Sequence, residues 1–177
     1  MTLVGEKTIL RAIEPSDADE YFKWINDEST NFYRGNYSPT SFADCRQALE
    51  DFAATPNSLT LIIAAGDGQT TLGLVGLRGI CLRSRRAETW VYIGDPAQWG
   101  KGYATDAMRV LLGYAFDSLN LHRIWLECDP KNTGAVKVYE RLGFLREGIH
   151  RDGYFKRAEY HDTITMGLVR TRHAKTS

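Results

Sequence analysis

The sequence predicts a single α/β domain of seven strands and four helices over residues 1–177. Its length of 177 residues suits one domain with a core of its own. Hydrophobic residues at 43% and charged residues at 25% sit near the averages for soluble globular chains, which excludes disordered, collagen-like and coiled-coil architectures. Short β-prone runs with hairpin signals share the chain with longer segments of helical period, and no repeat or low-complexity tract interrupts them.

Residues 3–13 read as a strand ending at Glu14-Pro15. A short amphipathic helix follows from Asp17 to Asp27, with Tyr21, Trp24 and Ile25 at helical spacing and acidic residues in the first turn, where the helix dipole favours them. Residues 28–40 are rich in Ser, Asn, Gly and Tyr and read as a loop. A second helix is predicted from Ser41 to Ala54, with Phe42, Cys45, Leu49 and Phe52 on one face. Leu59 to Ala65 and Leu72 to Leu82 are strands joined across Gly66-Asp67-Gly68-Gln69, and Glu88 to Ile93 is the third strand of a meander. After a glycine-bearing segment at 99–104 a long helix carries Met108, Leu111, Leu112, Ala115, Phe116 and Leu119 on its apolar face. Then come a strand at 123–128, a helix at 134–142 stopped by Gly143 as a C′ residue, and strands at 144–150 and 160–168. The basic tail, about residues 170–177, is predicted to be flexible.

The 22 basic and 22 acidic side chains cancel, a poor endowment for holding nucleic-acid phosphates, so no nucleic-acid partner is expected. The balance is uneven along the chain: residues 1–60 carry 5 basic and 10 acidic side chains, residues 61–140 carry 9 and 8, and residues 141–177 carry 8 and 4. Cys45, Cys81 and Cys128 are scattered and form no C-x-x-C pair, so neither a zinc ribbon nor a disulfide framework is expected. His122, His150, His161 and His173 show no metal-ligand spacing, and no metal is expected. With no leader pattern and no long apolar run, the sequence is read as cytoplasmic and away from membranes.

The segment Trp99-Gly100-Lys101-Gly102-Tyr103-Ala104 stands between a strand and a helix, the general setting for an anion at a helix N-terminus. A Walker loop is excluded because Asp95 stands five before Gly100 and Gly102 follows Lys101 where a hydroxyl is needed. A dinucleotide fingerprint fails because Thr105 stands where its third glycine belongs. What remains is a pyrophosphate cradle built mostly of backbone donors, which suits coenzyme A; the structural alternative is a tight turn.

These residues resemble the phosphate motif [QR]-x-x-G-x-[GA] of the GNAT superfamily of N-acetyltransferases, matching at Gly102 and Ala104, with Trp99 where Gln or Arg is usual. A second stretch, Asn132-Thr133-Gly134-Ala135-Val136-Lys137-Val138-Tyr139-Glu140-Arg141-Leu142-Gly143-Phe144, is similar to the family's N-x-A-S-x-R-x-Y-E-K-x-G-F helix, with Gly134-Ala135 replacing Ala-Ser. Flanking segments resemble the branch that acetylates ribosomal-protein N-termini, spermidine and similar amines. The resemblance implies a mixed, mostly antiparallel central sheet flanked by helices. It also implies acetyl-CoA as co-substrate, a small-molecule or peptide amine as acceptor, and room for a homodimer.

By the same resemblance, Tyr92 and Ile93 offer backbone donors to the acetyl oxygen, and Trp99, Gly100, Lys101, Gly102, Tyr103, Ala104 and Thr105 form the phosphate loop. Asn132, Ala135 and Lys137 border the cofactor on the following helix. Tyr139 becomes the general acid that returns a proton to the leaving thiolate, and Glu88 the base that takes the amine proton. Ordinary roles stand beside these: Tyr139 as a core tyrosine, Glu88 as a solvated strand-edge carboxylate, Asn132 as a helix N-cap. Tyr33, Arg34 and Tyr37, in the loop bordering the acceptor side, are the candidate substrate-binding residues. The different reading of the whole is a non-catalytic acyl-CoA-binding regulatory module.

Overall fold

A computed structural model describes residues 2–31, 38–156 and 158–170. Eight strands form one sheet in the order β1-β2-β3-β4-β5-β6-β8-β7. They are β1 Leu3–Val4, β2 Thr8–Arg11, β3 Leu59–Ala65, β4 Thr71–Cys81, β5 Arg86–Ile93, β6 Arg123–Cys128, β7 Leu145–Lys156 and β8 Glu159–Val169. The helices among the described residues are α1 Ala18–Ile25, α2 Glu28–Asn31, α3 Phe42–Ala54, α4 Tyr103–Asp117 and α5 Thr133–Arg141, with single 3-10 turns at Pro15–Asp17 and Pro96–Gln98. Among the described residues every pairing is antiparallel except β5 with β6.

Alternation along the central strands divides the core into two layers. Ile63 and Val75 face α4 and α5, where Met108, Leu111, Ala115 and Val136 close the larger cluster. Their neighbours Ile62 and Leu74 point through the sheet to α1 and α3 and meet Tyr21, Trp24, Cys45 and Leu49. This period of two is what a sheet covered on both faces requires.

Four boundaries differ from the sequence reading. The first strand is two: Gly5 turns the chain, its N–H donating to the Thr8 carbonyl at 2.8 Å, and β1 folds back on β2. The 28–40 segment is not all loop, since α2 occupies its start. The seventh strand runs on to Lys156, because bulges after Arg146 and His150 let β7 keep pairing with β8. Arg170 is docked rather than loose, its N–H bonded to the His122 carbonyl at 2.8 Å and its guanidinium to Asp117 at 3.0 Å. Residues 171–177 of the expected tail lie outside the described residues. Among the described residues no helix is long and apolar enough to cross a membrane.

Candidate functional site

The single parallel pairing creates the site. β5 and β6 are joined at Arg86, Ala87 and Glu88 only. Beyond that point β5 stays with β4 as far as Ile93, whereas β6 stays with β8 as far as Cys128. The two strands diverge and leave a fork. A cavity of about 560 Å³ fills it, lined by β5, the loop before α4, the end of β6 and one face of α5.

The register shows which backbone groups face this fork. Gly94 N–H donates to the Leu72 carbonyl at 2.9 Å, so the narrow hydrogen-bonded pairs of β4 and β5 fall on even-numbered β5 residues. Val91 and Ile93 therefore turn their backbone groups into the cavity, and the indole of Trp99 confirms the direction by donating to the Ile93 carbonyl at 3.0 Å. This corrects the expectation for Tyr92: its backbone N–H is spent on β4, and its ring packs edge-on against Trp24.

At the wide end of the fork the chain passes through Gly100 at φ 76° and Gly102 at φ 90° into α4. Gly102 is the N-cap, so the amides of Tyr103, Ala104 and Thr105 precede the first intrahelical bond, from Asp106 N–H to the Gly102 carbonyl at 3.0 Å. A Cβ on Gly100 would meet no protein atom within 4 Å. Left-handed glycines beside open space at a helix N-terminus make an anion cradle. Trp99, Gly100, Gly102, Tyr103, Ala104 and Thr105 all line the cavity. Lys101 is not among the lining residues, its ammonium being turned to Gln98 Oε1 at 3.0 Å.

α5 forms the opposite wall. Asn132 Oδ1 caps it by accepting from Ala135 N–H at 3.1 Å, and Asn132 also lines the cavity. At the other end Phe144 N–H bonds the Tyr139 carbonyl and Gly143 N–H the Glu140 carbonyl, each at 3.0 Å, with Gly143 at φ 90°. This Schellman closure fixes the turn that carries Tyr139. Ala135 and Tyr139, four residues apart, share the cavity-facing side with Lys137 nearby. Tyr139 is 6% exposed, and its hydroxyl has no hydrogen-bond partner among the described residues. Burial, with Cys128 adjacent, holds its phenol well above the ordinary range. Burial and the neighbouring Asp129 likewise push the Cys128 thiol up to about 11, against a smaller opposing effect of Arg146. A thiol so held is neutral at ordinary pH and a poor nucleophile.

Glu88, at the vertex of the fork, accepts from the Arg78 guanidinium across the β4–β5 pair. The sequence reading missed three further members of this wall: Arg78, Glu127 and Asp129. Asp129 is 8% exposed, accepting from the Tyr154 hydroxyl at 2.5 Å and from Lys131 N–H at 2.7 Å. The Asp-Pro-x-Asn string signalled the turn; nothing local signalled a tyrosine 25 positions on. Tyr33, Arg34 and Tyr37 lie outside the described residues. Among the described residues no group of three or more His, Cys, Asp or Glu is placed to hold a metal ion.

A mixed sheet split beside a left-handed glycine loop at a helix start is the framework of an acyl-CoA-dependent acyltransferase. Residues 7–145 match the family model described as an acetyltransferase (GNAT) domain, and the chain belongs to the GNAT acetyltransferase family. It is similar to spermidine N(1)-acetyltransferase from Vibrio cholerae, 36% identical over 174 residues that cover 98% of this chain and 99% of that one. It is similar also to a Bacillus licheniformis protein named "Uncharacterized N-acetyltransferase p20", 32% identical over 179 residues and 98% of each chain. A crystal structure of the V. cholerae spermidine N-acetyltransferase in complex with CoA and spermine superposes with a TM-score of 0.82 at 28% identity, covering 92% of this chain and 95% of that one. The protein is thus an acetyl-CoA-dependent acyltransferase, and the open glycine cradle with its free helix amides fits the diphosphate of that co-substrate.

Proposed function

We propose that residues 1–177 act as one domain that transfers acetyl directly from acetyl-CoA to a primary amine of a small polycation. The observation that carries this reading is the meeting of four elements in one cavity: the glycine cradle, the cleft-facing edge of β5, Tyr139 and Glu88. Acetyl-CoA supplies an activated acyl carbon and a thiolate leaving group. The helix amides at 103–105 hold the phosphates, and the N–H groups of Val91 and Ile93 are donors to the pantetheine and acetyl carbonyls. Glu88, kept in place by Arg78, takes the proton the ammonium must lose. Tyr139 presents an unengaged hydroxyl to the departing sulfur. A neutral Cys128 thiol favours direct transfer over an acetyl-cysteine route.

The acceptor class rests on charge. β5 and β6 contribute Glu88 and Glu127, and the turn after β6 Asp129, to the cavity wall against Arg78, whereas the cations Lys137 and Arg141 come from α5 on the other side. A polyamine offers several ammonium groups to such carboxylates, and the V. cholerae relative bound to spermine supports the choice.

The test is free-thiol release from acetyl-CoA with spermidine, an amino sugar and a peptide bearing a free N-terminus. We expect the highest kcat/KM with spermidine. Faster transfer to the peptide reassigns the acceptor, and CoA binding with no release for any amine leaves an acyl-CoA-binding module. A second expectation concerns the cradle. Gly102→Val places a branched side chain at φ 90°, where its Cβ stands 3.3 Å from Lys7 Nζ, so CoA affinity by calorimetry falls at least about tenfold. Unchanged affinity would place the diphosphate elsewhere.

A further inference from the structure

We propose that Lys7, a residue of the turn between β1 and β2, supplies the side-chain cation that neutralises the co-substrate's diphosphate at the glycine loop. This rests on the acetyl-CoA site proposed above and adds a residue to it. Lys7 is 94 positions from Lys101, yet its ammonium donates to the Lys101 carbonyl at 3.0 Å. Its Nζ, Cδ and Cε lie 3.3, 3.9 and 4.0 Å from where a Cβ on Gly102 would stand. The side chain thus lies along the N-cap of α4, beside the amides that open toward the cavity.

The position is built into the fold. Asp106, on the first turns of α4, accepts from the backbone N–H groups of Glu6, Lys7 and Thr8 at 3.2, 3.0 and 2.9 Å and from the Thr8 hydroxyl at 2.8 Å. The turn that bears Lys7 is therefore fastened to the same helix whose N-terminus forms the cradle. Its charge is available as well. An ammonium has three donors, of which the Lys101 carbonyl uses one, and among the described residues Lys7 makes no ion pair.

The cationic and aromatic side chains at the loop are turned to other partners. Trp99 is uncharged and its indole is bonded to Ile93, Lys101 is turned to Gln98, and Arg109 leans toward Asp106 at 3.6 Å. Two phosphate groups held by helix amides alone meet only partial charges, and a nearby full charge strengthens their binding.

The experiment measures CoA, dephospho-CoA and pantetheine binding to the wild-type protein and to Lys7→Gln, Lys7→Met and Lys7→Arg by calorimetry, with KM for acetyl-CoA and for spermidine alongside. Glutamine can still donate to the Lys101 carbonyl but carries no charge; arginine keeps the charge. We expect Kd for CoA and for dephospho-CoA to rise about tenfold in Lys7→Gln and Lys7→Met and to stay near wild type in Lys7→Arg. Pantetheine binding, KM for spermidine and the unfolding temperature should not move. Equal loss in all three variants would make the contact a loop brace rather than a charge, and loss confined to CoA would assign the cation to the ribose phosphate; either overturns the proposal. Wild-type affinity in the variants overturns it too, whereas a wild-type protein that binds no CoA defeats the site assignment beneath it.

Discussion

Replacing Tyr139 with phenylalanine is expected to lower kcat by about a hundredfold or more while leaving KM for acetyl-CoA within about twofold. The substitution removes one oxygen from a side chain that is 6% exposed and packed edge-on against Phe144 at 5.9 Å. Because that hydroxyl has no partner among the described residues, its loss costs the fold little, and the unfolding temperature should hold. The effect then falls on the departing thiolate, which loses a donor. Raised by burial, the phenol stays protonated well past neutrality and so is always in the donating form. Proton transfer from it to a thiolate whose conjugate acid has a pKa near ~8.5 is uphill, so its action is hydrogen bonding through the transition state with transfer late. The rate should accordingly show no descending limb from Tyr139 below about pH 10. Stopped-flow thiol release and its pH profile check both statements; wild-type kcat in the variant would leave Tyr139 as a core residue.

That the helix ends were legible in the sequence has a physical reason. Cap chemistry is local: Asn132, Gly143 and the Ser41 Oγ that accepts Asp44 N–H at 3.1 Å all announce helix ends within a few residues. Strand β6 was legible to the residue because its apolar side chains end at Asp129-Pro130. What escaped depends on register or on distant partners. The exchange of Tyr92 for Val91 as a cleft-facing donor follows from which residues of β4 and β5 pair, and a one-residue slip would reverse it. The division of the first strand turns on Gly5, where an added Cβ would stand 2.3 Å from Asp106 Oδ2, a contact 101 residues away that no local pattern reveals. Tyr154 on Asp129 and Arg78 on Glu88 belong to the same class. Spacing motifs find the glycine loop and α5, each a contiguous stretch of sequence; the rest of the wall, with its ties from Arg78 and Tyr154, is assembled from β4, β5, β6 and β7.

Substitution of Asp106 should cause the largest stability loss. The carboxylate is 4% exposed and satisfies three backbone N–H groups and one hydroxyl. In Asp106→Ala the Thr8 N–H and hydroxyl stay buried without an acceptor, at about 1–3 kcal/mol each, and the half-buried Glu6 and Lys7 N–H groups lose theirs, so a loss of roughly 3–5 kcal/mol is expected. Asp106→Asn should lie between, because an amide keeps one acceptor but turns an NH₂ toward donors. The pH dependence has a definite sign. Burial raises the Asp106 pKa, yet the Lys7 N–H, the Thr8 hydroxyl and the Glu6 and Thr8 N–H groups outweigh it and hold the group below its ordinary 3.8. A folded-state pKa that is depressed contributes stability present above the unfolded value and lost as pH falls through the folded one. The gap between wild type and Asp106→Ala in urea unfolding should therefore be full above about pH 5 and narrow below pH ~4. Subtracting the variant cancels the other depressed carboxylates, which both proteins share: Asp17, whose burial is outweighed by its bond to Arg11, and Asp27, Asp67 and Glu147. A gap that stays constant into acid would mean that packing, not the ionised carboxylate, holds the β1–β2 turn on α4. Since that turn presents Lys7 to the glycine loop, bound CoA should restore part of the lost stability in Asp106→Asn by mass action.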